Sequence, residues 1–200
     1  MSTVHPQKEY PTLGCCGLDC GLCPRYYTEG SSRCPGCCGP EFFSHHPSCG
    51  IITCCVTRHH VEVCSQCTSF PCERVKGLLQ QPIYDSFLTY KKVASNLHAI
   101  RDHGLDVVID QQQRRMNLLK QMLKEFNDGR SKNYYCLSAT LLSILGLEEA
   151  LTTARQMVAS KKILPQDNKA KAVLLKEQLD RLAKKEEITL QLNKPPHGKK

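Results

Sequence analysis

Residues Cys15 to Pro24 read CCGLDCGLCP, and residues Cys64 to Glu73 read CSQCTSFPCE. The segment they bound, 15–72, holds thirteen of the fourteen cysteines of this 200-residue chain, and its reading decides the fold. Thiols this dense point to a disulfide scaffold, metal ligation or redox chemistry, and the compartment separates the three. Met1 to Tyr10 (MSTVHPQKEY) offers no basic start, apolar core or small-residue cleavage site, so a secretory signal is not expected. A reducing, cytoplasmic setting with metal-bound thiolates is the expectation. No apolar run approaches the ~18 residues of a membrane span, and a mean hydropathy of -0.37 suits a chain that stays in water.

Working outward, Cys16, Cys20 and Cys23 form CxxxCxxC, Cys34 and Cys37 form CxxC, and Cys49 and Cys54 stand five apart. Cys64, Cys67 and Cys72 add a further CxxC with a late partner. A CxxC turn lets two sulfurs converge on one ion ~2.3 Å from each, and a second pair closes the tetrahedron. The strings CPGC at Cys34 and CSQC at Cys64 are expected to be two such knuckles. These ten cysteines are the candidate metal ligands, and ten does not divide by four. Two sites with spare thiols, a bridging thiolate, or a third site completed by His45, His46, His59 or His60 all remain open, although exposed loop histidines are the plainer reading. Apolar side chains are sparse in the segment, so burial alone does not offset its chain entropy. A structural zinc supplies on the order of 10 kcal/mol where its site forms only on folding, and the segment is expected to unfold without metal.

The strings CGLDCGLCP (Cys16 to Pro24), CPGC, CGIITC (Cys49 to Cys54) and CSQCTSFPCE carry those ten cysteines in order. They resemble an uncharacterised prokaryotic cysteine-rich family, a domain of unknown function with CGLDC as its hallmark. NDGRSKNYYCLSATLL (Asn127 to Leu142) extends the resemblance to about Leu151. The resemblance implies a cytosolic metal-binding domain, assumed to hold zinc, with no established activity. Cys15, Cys38 and Cys55 stand outside the family's pattern, which argues against them as ligands. Zinc, as two or more ions, is the expected metal, and a 4Fe–4S cluster in an electron carrier or redox accessory is the alternative. Cys23–Pro24 echoes the Cys-Pro ending of bacterial ferredoxin runs. CxxxCxxC also has the spacing of radical S-adenosylmethionine enzymes, but those need a parallel α/β barrel after the motif, and helices follow here.

Beyond Pro71 the apolar spacing turns helical. Helices are expected over 72–81, 84–102, 106–126, 132–145, 147–161 and 167–185, the last with Asp167 as N-cap. The expected fold is therefore a small metal-stapled, cysteine-rich module of irregular loops and knuckles, followed by an all-α bundle of about six helices and no strand. Its parts would be an extended lead-in (1–13), the metal module (14–72), the bundle (73–192) and a disordered tail (193–200). Residues 1–72 carry a net charge of minus 1 and residues 73–200 plus 9, so the basic character is C-terminal. A protein partner is expected. Nucleic acid is less favoured, because aromatic residues are 6% with no Trp and base stacking has little to use. Catalysis is not assigned. Asp19 and Glu73, beside ligand cysteines, are the candidate acid/base carboxylates, with supporting or helix-capping roles preferred. Cys136 reads either as a small buried apolar residue or as a late ligand or reactive thiol beside Arg130 and Lys132.

Overall fold

The computed structural model describes residues 6–47, 49–80 and 84–195. Among them regular structure is helical throughout, without a strand. The α-helices are α1 (Phe42–His45), α2 (Gly50–Ile52), α3 (Glu73–Leu79), α4 (Val93–His103), α5 (Leu105–Glu125), α6 (Lys132–Leu141), α7 (Ile144–Ser160) and α8 (Asn168–Lys185). The first two are single turns, and α2 runs on into a wider, π-type turn at Thr53–Arg58. The six longer helices answer to the six expected.

Two of them start or stop elsewhere than the apolar spacing suggested. The helix expected from residue 84 begins only at Val93. Asp85 accounts for this: its Oδ1 accepts from the Tyr90 amide at 2.8 Å, its Oδ2 accepts from the Asn193 amide at 2.7 Å, and its own amide donates to the Asn193 carbonyl. Side-chain bonds of this kind offer the backbone an alternative to the helical ladder. They also tie down part of the tail: Lys194 donates to the Ser86 carbonyl at 2.8 Å, so 193–194 are held rather than loose. Residues 196–200 of the expected tail, and 1–5 of the lead-in, lie outside the described residues. The helix expected over 132–145 ends at Leu141, because Ser143 turns extended and caps α7, its Oγ accepting from the Gly146 amide at 3.1 Å.

The chain divides into two compact units, Met1–Gln112 with Leu192–Lys200, and Gln113–Gln191. The division falls inside α5 and not after Cys72, for a reason that lies in the cysteine segment's poverty of apolar residues. Its core is closed by the helices that follow it: Val75 of α3, Val93, Leu97 and Ile100 of α4 and Val108 of α5 cluster with Leu13, Cys15, Ile52, Val63 and Phe70. Each such aliphatic side chain contributes about 1.5–3 kcal/mol when fully buried. The lead-in is part of the same core. Leu13 is wholly buried, and the buried Lys8 donates to the Leu13 carbonyl at 2.5 Å while the Glu62 carboxylate accepts the amides of Glu9 and Tyr10.

In the second unit α6 is almost entirely buried, with Tyr135, Cys136 and Ala139 at 0% exposure. The Tyr135 hydroxyl donates to the Phe126 carbonyl at 3.0 Å. Arg115 caps the end of α6, its Nη1 donating to the carbonyls of Ala139 and Leu142 at 2.7 and 2.6 Å. α7 and α8 pack along each other, and Asp167 caps α8 as expected, accepting from the Ala170 amide at 2.9 Å.

Candidate metal centre

The CGLDC loop is held against α4 and α5 by its own polar residue. Asp19 is buried, and its two carboxylate oxygens accept from Asn96 Nδ2 at 2.8 Å and Gln112 Nε2 at 2.9 Å. The same two amides reach further, Asn96 to the Gly17 carbonyl and Gln112 to the Thr12 carbonyl. Asp19 therefore positions the loop, and the acid/base reading gives way to a supporting one. Gly17 completes the fit: its φ is +83°, and a Cβ there would stand 2.7 Å from Leu97 Cγ, so only glycine lets the loop lie on α4. The second cysteine string is tied to the same helix, Arg101 donating to the Phe70 carbonyl at 2.9 Å. Glu73 opens α3, is exposed and pairs with Lys76 one turn on.

With the loops so placed, Cys15, Cys37 and Cys38 are buried with all three sulfurs within 4.8 Å of one another. Cys37 Sγ donates to Cys15 Sγ at 3.8 Å. Cys55 lies beside Cys15 and Cys64, and its Sγ donates to the Val61 carbonyl at 3.2 Å. Three backbone features deliver the trio. The Cys64 amide donates to the Cys15 carbonyl at 2.9 Å, and the Cys37 amide donates to the Pro11 carbonyl at 2.7 Å. Gly36 at φ +89° permits the second contact, since a Cβ there would fall 2.3 Å from the Pro11 oxygen. Cys38 itself has φ 60°, a left-handed conformation that costs a non-glycine residue on the order of 1 kcal/mol.

No family model, curated protein or solved structure matches this chain. The chemistry of the centre is therefore read from its own residues.

Hydrogen bonds set the protonation of the buried group. The thiols beside it, Cys37 first and then Cys38 and Cys55, lower the Cys15 thiol below its ordinary range. Its partners are pushed the other way: the bond to Cys15 raises Cys37, raises Cys38 to about 12 and raises Cys55. Cys64, beside Cys55, is lowered as well.

Other expected ligands gather beside this group around a cavity of about 320 Å³. Cys16, Cys20, Cys23, Cys34 and Cys49 line it, and Cys15 and Cys37 border it from the buried trio. Burial raises Cys16 to about 11 and raises Cys20 and Cys23. The Leu18 amide donates to the Cys16 sulfur, and the amides of Arg25 and Tyr26 donate to that of Cys23. His46 also lines the cavity, stacked on Phe42 with ring centroids 4.4 Å apart, whereas His59 and His60 are exposed. Cys54, Cys67 and Cys72 are half-buried and stand outside both the trio and the cavity lining. Cys136 lies in the second unit, fully buried on α6, as the apolar reading has it.

The grouping differs from the expected knuckles in an instructive way. Within CPGC, Cys37 joins the trio and Cys34 the cavity lining, and within CSQC, Cys64 bonds to Cys55 while Cys67 stands apart. Cys15 and Cys38, set aside because they fall outside the resembled pattern, are two of the three members of the buried trio, and Cys55, set aside with them, lies beside Cys15. The doublets Cys15–Cys16, Cys37–Cys38 and Cys54–Cys55 were the signal that could have found them. In the first and last, one member turns inward to the buried group and its neighbour does not.

Proposed function

We propose that this chain is a cytoplasmic metal-binding protein whose cysteine-rich unit folds around zinc held by Cys15, Cys37, Cys38 and Cys55, and that it serves as an interaction module with no catalysis at that metal. The observation carrying this reading is the 3.8 Å separation of the Cys15 and Cys37 sulfurs inside a buried trio. Four sulfurs ~2.3 Å from a central ion stand ~3.8 Å apart along the edges of their tetrahedron. Soft thiolates suit zinc, and a set of four leaves no position for a substrate or water. When bound, the ion supplies a crosslink between chain segments more than twenty residues apart. The plus 9 charge of residues 73–200 supports a partner of acidic surface, with Lys161, Lys162, Lys169, Lys184 and Lys185 exposed and Lys171 and Lys176 half-buried.

Elemental analysis of protein purified without oxygen tests the site. Wild type is expected to carry at least one zinc, and Cys38→Ser one equivalent fewer, with Cys136→Ala unchanged. A Cys38→Ser protein that keeps its zinc and its circular dichroism spectrum overturns the assignment.

A further inference from the structure

The five cysteines Cys16, Cys20, Cys23, Cys34 and Cys49 line the 320 Å³ cavity and take no part in the buried trio. Among the described residues the trio is the only set of three donors whose ligand atoms lie within 4.8 Å of one another. No three of Cys16, Cys20, Cys23, Cys34 and Cys49, which line the cavity, therefore bring their sulfurs within 4.8 Å of one another, as three edges of a preformed zinc tetrahedron at ~3.8 Å would require. The volume is far above the ~10–15 Å³ that a single water needs. Thiolates that stand apart around a space of this size suit a polynuclear centre, in which each sulfur binds a different metal atom.

We infer that this cavity is a second metal site that takes an iron–sulfur cluster, terminally ligated by Cys16, Cys20, Cys23 and Cys34. Cys20 is the middle of the set, with Cys16, Cys23 and Cys34 as its thiol neighbours, while Cys49 lies on the Cys16 side and is the spare fifth. The surroundings match the needs of such a cluster. Amides of Leu18, Arg25 and Tyr26 are already turned toward the Cys16 and Cys23 sulfurs, the kind of outer hydrogen bond that tunes and orients cluster ligands. Leu18, Ile51 and Leu88 supply an apolar wall. A cluster held by four thiolates carries net negative charge. Arg25 lines the same cavity, its guanidinium 5.3 Å from the ring of Phe87, and Phe87 is 61% exposed, so the cavity reaches the surface there. A rim of this kind puts the cluster within reach of a redox partner.

This inference uses cysteines that the zinc reading leaves unassigned, and the two fail separately. The full-length protein is reconstituted with iron and sulfide in the absence of oxygen, after which iron, sulfide, zinc and the visible spectrum are measured on one sample. Wild type should gain about four iron and four sulfide per chain with a broad visible band that bleaches in air, its zinc unchanged. Cys20→Ser should lose the iron, the sulfide and the band while keeping its zinc. A wild-type protein that stays colourless and binds no iron, or one that fills the cavity with additional zinc instead, overturns the inference. So does a Cys20→Ser protein that takes up the cluster as wild type does. Loss of zinc alone would count against the trio and not against the cavity.

Discussion

At the buried centre Cys15 is lowered while Cys37, Cys38 and Cys55 are raised, so without metal the three raised thiols keep their protons at neutral pH and Cys15 is the first to lose its own. Zinc must displace those protons, because it binds sulfur only as thiolate. Binding should release about three protons per ion and not the four of an ordinary four-thiol set, and apparent affinity should climb about a thousandfold per pH unit near neutrality. The sign follows from Cys37, Cys38 and Cys55 titrating above their usual range: lowering the pH refills sites that the ion has to empty. Calorimetry in buffers of different ionisation heat counts the protons, and a count of four would mean that Cys15 is protonated in the free protein. Sequence spacing marked Cys37 but neither Cys15, Cys38 and Cys55 nor the sorting of the thiols into groups. Spacing reports which sulfurs a tight turn can bring together, whereas Cys15 meets Cys37 and Cys38 through contacts made by Pro11, Gly36 and Cys64. The left-handed Cys38 is equally invisible, since nothing about a CC doublet marks which member will turn.

At the scale of elements, α4 organises the cysteine strings, through Asn96 to the CGLDC loop and Arg101 to Phe70. Asp19→Ala strips the buried Gln112 amide and the half-buried Asn96 amide of their common acceptor, and an unpaired buried group costs about 1–3 kcal/mol. The first unit should lose about 1–3 kcal/mol of stability, and metal release by a chelator should quicken, while Asp19→Asn retains one acceptor and an intermediate phenotype. A rate of release equal to wild type in both variants would remove Asp19 from its positioning role. In the second unit α5 and α7 are joined by Arg155, which donates to Glu125 and to Gln121. The Arg155 bond lowers the Glu125 carboxyl below its ordinary 4.5, so the stabilisation is complete above that value and is lost as pH falls through the lowered one. For so exposed a pair it amounts to less than about 1 kcal/mol. Urea titrations of wild type and Arg155→Gln should differ slightly at neutral pH and converge in acid; a difference that persists at low pH would assign it to packing. The helices themselves were legible because their apolar residues recur every three to four positions. The start of α4 was not, because Asp85 overrides periodicity with bonds to Tyr90 and to Asn193, a residue more than a hundred positions away.

For the whole molecule, composition drew the line at Cys72, where the cysteines stop, but the packing draws it at Gln112, where the cysteine segment's borrowed core ends. The units accordingly differ in what holds them. Gln113–Gln191 has an apolar core of its own in Tyr135, Leu142, Leu147, Leu151, Leu175 and Leu179, all fully or almost fully buried, and no part in the trio or the cavity lining. Met1–Gln112 relies on a smaller apolar cluster together with its thiol sites, and metal binding at a site that forms on folding is itself folding energy. Removing metal should then open the first unit and spare the second. Hydrogen exchange followed by mass spectrometry, with and without a strong chelator under reducing conditions, reads both at once. Amides of the CGLDC loop, α3 and α4 should lose protection by orders of magnitude when metal is withdrawn, whereas α6, α7 and α8 should exchange as before. Uniform loss of protection along the chain would show that the two units fold as one, and protection retained throughout would show that the apolar cluster around Leu13 and Leu97 suffices without any metal.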